Sequence, residues 1–230
     1  MTLRHDLRLL TLDLDDTLID SDGTAEERLA DAMQRARLVL GGALDDATAA
    51  RVAASAAAAD PVTEGRLGTL VRLLSLEADD PRALQIREAY NARLLDLLRL
   101  FPGVHETLRT LRRRYRLVIV TNGPEALQRS KVEQFGLQDA VDSVVISGAM
   151  GVHKPDPRIF WEACSRVGVE PEFAAHVGDA ISTDIAGAKG AGMGAIWRRP
   201  ERDHALSEAA LSVIPDLIIE RFDQLPEALA

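Results

Sequence analysis

The stretch Leu9-Leu10-Thr11-Leu12-Asp13-Leu14-Asp15-Asp16-Thr17 decides how this chain is read. From Leu7 to Leu14 it is an apolar run of strand length, and it ends abruptly in carboxylates and a hydroxyl. Similar runs recur at Leu117 to Thr121, Val144 to Ser147, Ala174 to Gly178 and Gly194 to Trp197, each short enough for a buried strand. Helical patterns lie between them. Val104, Leu108 and Leu111 share one helical face, Leu127 and Phe135 fit the next helix, and Ile159, Phe160, Ala163 and Val167 the one after. Pro124 and Pro157 suit first-turn positions, while Gly136 and Gly168 suit the residue just past a helix end. Strands alternating with helices predict an α/β fold with a doubly wound, Rossmann-like parallel sheet.

The interval 20–101 breaks that alternation. No strand pattern is visible in it. Thr24 with Glu27 has the form of a capping box ahead of Leu29, Met33, Ala36 and Leu40, and Gly41-Gly42 ends that helix. An alanine-rich helix is expected from about Asp46 to Ala59, closed by Asp60-Pro61. Leu67, Leu70, Val71 and Leu74 follow with i, i+3, i+4, i+7 spacing, and Asp80-Pro81 opens a last long helix carrying Ile86, Tyr90, Leu94 and Leu97. The predicted organisation is therefore a Rossmann-like core domain of residues 1–19 and 102–230, interrupted after its first strand by an all-helical domain of residues 20–101.

A chain of 230 residues can bury a core and still carry such an insertion. Its 47% hydrophobic and 27% charged residues are those of a globular protein. A formal net charge of -9 argues against a nucleic-acid partner, which calls for a basic field. A small anionic substrate stays compatible, because a metal and a few cations set the local sign. The single cysteine, Cys164, forms no intrachain disulfide and no C-x-x-C motif, which suits a reducing compartment. Neither a signal peptide nor a membrane span is legible, so the expected location is cytoplasmic, with no membrane partner.

In a doubly wound sheet, ligands bind beyond the carboxyl ends of the strands. Asp13, Asp15 and Thr17 stand at the end of the first. The chain turns there, so the relative aim of the two carboxylates does not follow from their spacing, and a polar turn with Thr17 as a helix cap fits as well. Thr121-Asn122-Gly123 stands at the end of the second, where a hydroxyl and the first amides of a helix can cradle a phosphate. Lys154 follows the third strand. Only three lysines (Lys131, Lys154, Lys189) stand against twenty-four arginines, which hints that a compact point charge was selected at this position. Asp179 and then Asp184 follow the fourth strand. Acidic groups gathered beside Asp13 and Asp15 would repel unless a cation sat among them, and oxygen-only ligands suit Mg²⁺. The histidines show no metal-binding spacing, and only His153, beside Lys154, is a candidate for the site.

In this order, Asp13-x-Asp15-x-Thr17, Thr121-Asn122-Gly123, Lys154-Pro155 and Gly178-Asp179 with Asp184 resemble the four motifs of the haloacid dehalogenase superfamily, and the inserted helices resemble its helical cap. The resemblance covers nearly the whole chain. It implies a phosphatase in which Asp13 attacks phosphorus and forms an aspartyl-phosphate. Asp15 is then the acid that protonates the leaving oxygen and the base that activates water. Thr17, Thr121, Asn122, Gly123 and Lys154 would bind substrate, Thr121 and Lys154 also stabilising the transferring group. Mg²⁺ would be held by Asp13, Asp15 through its backbone carbonyl, Asp179 and Asp184, the last directly or through water. The implied substrate is a small phosphomonoester of the nucleotide or sugar phosphate class, acted on by a monomer or homodimer.

Other readings share the fold. A 2-haloacid dehalogenase uses the first aspartate but needs neither magnesium nor a second acid two residues on, so Asp15 favours phosphoryl transfer. A phosphonatase needs a cap lysine, and none occurs between Asp20 and Phe101. A phosphomutase would share all four motifs. A non-catalytic binding module would be free to lose Asp13, Asp15 or Asp179, and all three are present.

Overall fold

The computed structural model describes residues 3–59, 65–200 and 213–230. Two compact units divide the chain: residues 1–20 with 99–230, and residues 21–98.

The first unit is built on a six-stranded parallel sheet. Its strands are β1 (Leu9–Leu12), β4 (Arg116–Thr121), β5 (Ser143–Ile146), β6 (Ala174–Gly178), β7 (Gly194–Arg198) and β8 (Leu217–Ile219), in the order β5-β4-β1-β6-β7-β8. All four residues of β1 are buried, as are all five of β6, because both faces of a parallel sheet are covered. The helices of this unit are α6 (Val104–Leu111), α7 (Glu125–Gln134), α8 (Ser147–Met150), α9 (Pro157–Val167), α10 (Ala186–Gly190) and α11 (Leu225–Ala228). One core cluster joins Leu9, Val118, Val120 and Val145 of the sheet to Ile159, Phe160, Ala163 and Cys164 of α9. Cys164 is core, and burial pushes its thiol up to about 11.

The strand order places a topological switch between β1 and β6. From β1 the chain moves to β4 and β5 on one side, and from β6 to β7 and β8 on the other. The crevice outside the carboxyl ends of these two neighbours is where such sheets bind ligands. Leu12 pairs with Val177, so the residues that follow, Asp13 and Gly178-Asp179, emerge side by side. The Asp13 amide donates to the Val177 carbonyl at 2.9 Å, which ties the first residue beyond β1 to β6.

Five strands follow the apolar runs of the sequence. The sixth, β8, was not legible: it is three residues long on the sheet edge, with Ile218 exposed, and so lacks a buried strand's pattern. Three expectations about helix ends are corrected. Pro124 lies just before the first turn of α7 rather than in it. Thr24 forms no capping box, since its hydroxyl donates to the Ser21 carbonyl at 2.7 Å. The predicted long helix after Asp80-Pro81 stops at Ala92 and restarts as Leu94–Leu97. The expectation of no strand between Asp20 and Phe101 is also corrected, because β2 (Ile19–Asp20) pairs antiparallel with β3 (Arg99–Leu100). Two-residue strands carry no periodicity to read.

The second unit is helical: α1 (Ala25–Leu40), α2 (Asp46–Ala57), α3 (Gly65–Leu73), α4 (Pro81–Ala92) and α5 (Leu94–Leu97). Its core is apolar. Leu29, Ala32, Met33 and Ala36 of α1 pack with Val52, Ala56, Leu70, Ile86 and Tyr90. Asp45 and Asp80 cap α2 and α4, accepting from the amides of Thr48 and Arg82, each at 2.7 Å. The expected Asp60-Pro61 stop lies outside the described residues.

Candidate active site

Three carboxylates converge at the switch point. Asp13, Asp179 and Asp184 each offer an oxygen, and these oxygens lie within 4.8 Å of one another. Asp13 follows β1 and Asp179 follows β6. Asp184 is carried by a single widened helical turn, Ile181–Ile185, which leads into α10. Gly178 makes room for it, since a Cβ there would land on the Asp184 carboxyl.

Lys154 lies within this group. Its ammonium is buried, donates to Asp13 Oδ1 and stands 2.7 Å from Asp184 Oδ1. The main chain of Lys154 is clamped by one side chain: Asn122 Oδ1 accepts from its amide at 2.8 Å and Asn122 Nδ2 donates to its carbonyl at 3.1 Å. An asparagine can do both because its amide carries a donor and an acceptor. Asn122 thus joins the end of β4 to the segment between α8 and α9 that carries Lys154.

Behind Asp184 lies a buried histidine that the sequence reading did not single out. His176 of β6 is 3.3 Å from Asp184 Oδ1 through Nε2, and 2.9 Å from Thr11 Oγ1 through Nδ1. A carboxylate only accepts, so Nε2 carries the proton and Nδ1 receives the threonine hydroxyl. Burial lowers the His176 pKa even against the pull of Asp184, which keeps the ring neutral in this tautomer.

The charges explain the shifts. Burial pushes the Asp13 carboxyl up to about 7, with Asp184 and Asp15 adding to the rise and Lys154 opposing it. Burial and the neighbouring Asp184, Asp13 and Asp16 push Asp179 well above the ordinary carboxylate range. Burial also opposes ionisation of Asp184, but Lys154 and His176 outweigh it and hold that carboxyl low. Lys154 is raised for the complementary reason: burial works against its charge, and Asp13 and Asp184 overcome it. Three carboxylates and one ammonium leave a formal charge of minus two, which a divalent cation would cancel. The all-oxygen donor set is that of a hard cation. The residues therefore fit a metal ion.

Asp15 points elsewhere. Both oxygens of its carboxylate receive the ammonium of Lys131, each at 2.7 Å. Gln128 Nε2 shares its two protons among three acceptors, Asp15 Oδ2 at 2.9 Å, Thr121 Oγ1 at 2.6 Å and the Asn122 carbonyl at 3.2 Å. Gln128 and Lys131 are both buried on α7. The stripe expected for this helix, Leu127 and Phe135, is only half-buried, and the face it turns inward is Gln128, Lys131 and Val132. An inward polar face escapes a search for apolar periodicity. The available signal was the rarity of lysine, since all three lysines pair with an aspartate: Lys131 with Asp15, Lys154 with Asp13 and Asp184, and Lys189 with Asp216 at 2.5 Å.

The remaining expected residues are placed as follows. Thr121 is buried at the end of β4. The Gly123 amide already donates to Ser147 Oγ at 2.9 Å. The Thr17 hydroxyl is buried and makes no hydrogen bond among the described residues. His153 is exposed. Two braces went unforeseen. Trp197 Nε1 donates to the Asp179 carbonyl at 2.8 Å. Arg198 donates to the Asp16 carbonyl at 3.1 Å and lies over the Phe101 ring, 4.1 Å from its centroid. Asp16 has φ 55, a left-handed conformation that aspartate tolerates better than most residues.

With the fold and these side chains in view, the family follows. The haloacid dehalogenase-like hydrolase model matches residues 7–192, and the chain belongs to that family. Among its relatives, glyceraldehyde 3-phosphate phosphatase of Methanopyrus kandleri is 37% identical over 134 residues, 58% of each chain. The N-acylneuraminate-9-phosphatase of Homo sapiens is 33% identical over 136 residues, covering 59% of this chain and 54% of the relative. This chain thus spans little more than half of either curated relative. A haloacid dehalogenase family phosphatase from Thermococcus onnurineus has a similar structure, with a TM-score of 0.72 at 26% identity over 97% of this chain and 98% of that one. No helix among the described residues is long and apolar enough to cross a membrane.

Proposed function

We propose that this protein is a Mg²⁺-dependent phosphatase that hydrolyses a small phosphomonoester through an aspartyl-phosphate on Asp13. The observation that carries the reading is the second carboxylate. Asp15 is joined through the Gln128 amide to the Thr121 hydroxyl, so an acid–base group and a phosphate-binding group share one hydrogen-bond network. A hydrolase that cleaves carbon–halogen bonds needs no such acid.

In this reading an Asp13 oxygen attacks phosphorus while the bond from phosphorus to the leaving oxygen breaks. Asp15, whose two oxygens accept from Lys131 and so carry no proton in this structure, takes one up from the incoming phosphomonoester monoanion and, as the acid, gives it to that oxygen. Asp15 then takes a proton from water as the water oxygen attacks phosphorus, which releases phosphate and restores the Asp13 carboxylate. The Thr121 hydroxyl donates to a phosphoryl oxygen, and the Lys154 ammonium offsets charge on the transferring group. Asp13, Asp179 and Asp184 would hold the Mg²⁺, together with the Asp15 carbonyl, and the bound cation screens an anionic substrate from an anionic nucleophile. The helical unit, residues 21–98, takes the part of the family's cap and selects the leaving group. Relatives that act on glyceraldehyde 3-phosphate and on an acylneuraminate 9-phosphate favour the sugar phosphate side of the substrate class. The test is a panel of phosphomonoesters and 2-haloacids assayed with Mg²⁺ and with a chelator. Metal-dependent phosphate release is expected, and halide release indifferent to the chelator would refute the reading.

A further inference from the structure

We infer that Gln128 and Lys131 are positioning residues for the acid–base step, holding Asp15 and Thr121 as one unit. The inference rests on the proposed phosphatase reading and adds to it the side chains that set how the second carboxylate and the phosphate-binding hydroxyl are aimed.

A glutamine amide has one donor end and one acceptor end. Around Gln128 Nε2 lie the Asp15 carboxylate, the Asn122 carbonyl and the Thr121 oxygen, of which the first two can only accept. The donor end therefore faces this cluster, because the opposite rotation would set Oε1 against a carboxylate and a carbonyl. Thr121 Oγ1 is then on the receiving side, at 2.6 Å. Its own proton is left to point away from Gln128, with the Asn122 carbonyl 3.5 Å off. A phosphoryl oxygen is a far better partner for that proton. Gln128 thus sets Thr121 as a donor toward the substrate.

Lys131 does the corresponding work on Asp15. The ammonium spans both carboxylate oxygens at equal distance, 2.7 Å, which fixes the plane of the group as well as its position. Both side chains project from one face of α7, three residues apart, so they move with the helix and hold the two targets in a constant relation. Proton transfer to a leaving oxygen is sensitive to such placement: misplacement by about 1 Å can cost on the order of 10²-fold in rate. This packing also explains why a helix of a soluble domain buries a glutamine and a lysine where leucines would be expected.

The experiment is a double-mutant cycle read on two leaving groups. Wild type, Lys131→Met, Asp15→Asn and the double variant are compared by kcat/KM on glycerol 2-phosphate, a poor leaving group, and on p-nitrophenyl phosphate, a good one that departs without an acid. kcat/KM reports steps through leaving-group departure and so isolates the acid role. Lys131→Met is expected to lower kcat/KM on the alkyl phosphate roughly 10²-fold and on the aryl phosphate by no more than about threefold. In the Asp15→Asn background the same substitution should change the alkyl rate by less than about threefold, because a residue acting through Asp15 has nothing left to position. A general loss of structure would lower both substrates alike and would repeat in both backgrounds. If Lys131→Met fails to fold, Gln128→Met serves in its place, keeping the ammonium and removing the amide, with a loss on the alkyl phosphate that is larger with Asp15 present than without it, the remainder passing through Thr121. Equal losses with and without Asp15 would overturn the inference alone. Near wild-type alkyl phosphate turnover by Asp15→Asn would overturn the phosphatase mechanism itself.

Discussion

The two units bury different things. Among the described residues, fourteen polar or charged side chains are buried, and twelve of them lie in the sheet unit; the helical unit contributes only Thr24 and Thr69. Burying a polar group costs stability unless it is hydrogen-bonded, and burying a charge costs far more unless it is paired. The sheet unit accepts that cost mostly around the ends of β1, β4 and β6. The helical unit is held by apolar burial and ordinary helix caps. One unit is arranged around charge, and the other around packing.

The sharpest way to break this contrast is Asp13→Asn. The amide keeps the carboxyl's shape but cannot form an acyl-phosphate, so turnover should fall by at least about 10³-fold. The fold should survive, checked by circular dichroism and a thermal midpoint no lower than that of wild type, since the substitution removes one charge from a crowded acidic group. Activity within about tenfold of wild type would remove Asp13 from the chemistry.

The converse substitution is Ile86→Ala, in the fully buried core of the helical unit. Truncating such a side chain should cost about 2–5 kcal/mol of stability, read by denaturant unfolding. Below the unfolding transition, kcat/KM on p-nitrophenyl phosphate should stay within about threefold of wild type, because none of the charged side chains lies in that core. A collapse of aryl phosphate turnover in a folded Ile86→Ala protein would show that the division of labour is wrong.

These two outcomes bear on what the sequence could disclose. The fold class was readable because β1, β4, β5, β6 and β7 are buried along most of their length and therefore show as mainly apolar runs, whereas β8, on the edge, does not. The acidic motifs were readable because each follows a strand, and the register of β1 with β6 then brings Asp13 and Asp179 together. What escaped were side chains outside the motifs whose role depends on a partner distant in sequence. Gln128 and Lys131 meet Asp15 more than a hundred positions away. His176 looks like one more strand residue until Thr11 and Asp184 are seen on either side of it. The turn that aims Asp15 toward α7 rather than toward Asp13 is likewise set by tertiary pairing, with the Asp16 carbonyl held by Arg198. Local spacing carries none of that information.

A smaller effect sharpens the electrostatic side of the comparison. Asp13 titrates at about 7 and Asp179 well above the ordinary range, so the fold without metal retains protons that the unfolded chain has already lost at pH values above about 4. For these two groups the unfolded state binds fewer protons, and stability falls as pH rises from about 4 through about 7. A divalent ion binds the ionised carboxylates and reverses that loss. The rise in thermal midpoint on adding Mg²⁺ should therefore be small near pH 5 and grow toward pH 8, by a few degrees or roughly that order. Asp13→Asn should flatten the trend, and a rise independent of pH would mean that the ion binds elsewhere.

In the proposed mechanism phosphate passes through Asp13 on its way to water. This route is tested most directly by the stereochemical course at phosphorus, followed with a phosphomonoester made chiral by oxygen isotopes and sulfur and hydrolysed in isotopically labelled water. Two successive in-line displacements, one by Asp13 and one by water, predict retention of configuration, whether or not the intermediate accumulates. Inversion would mean a single attack by water and would contradict the account.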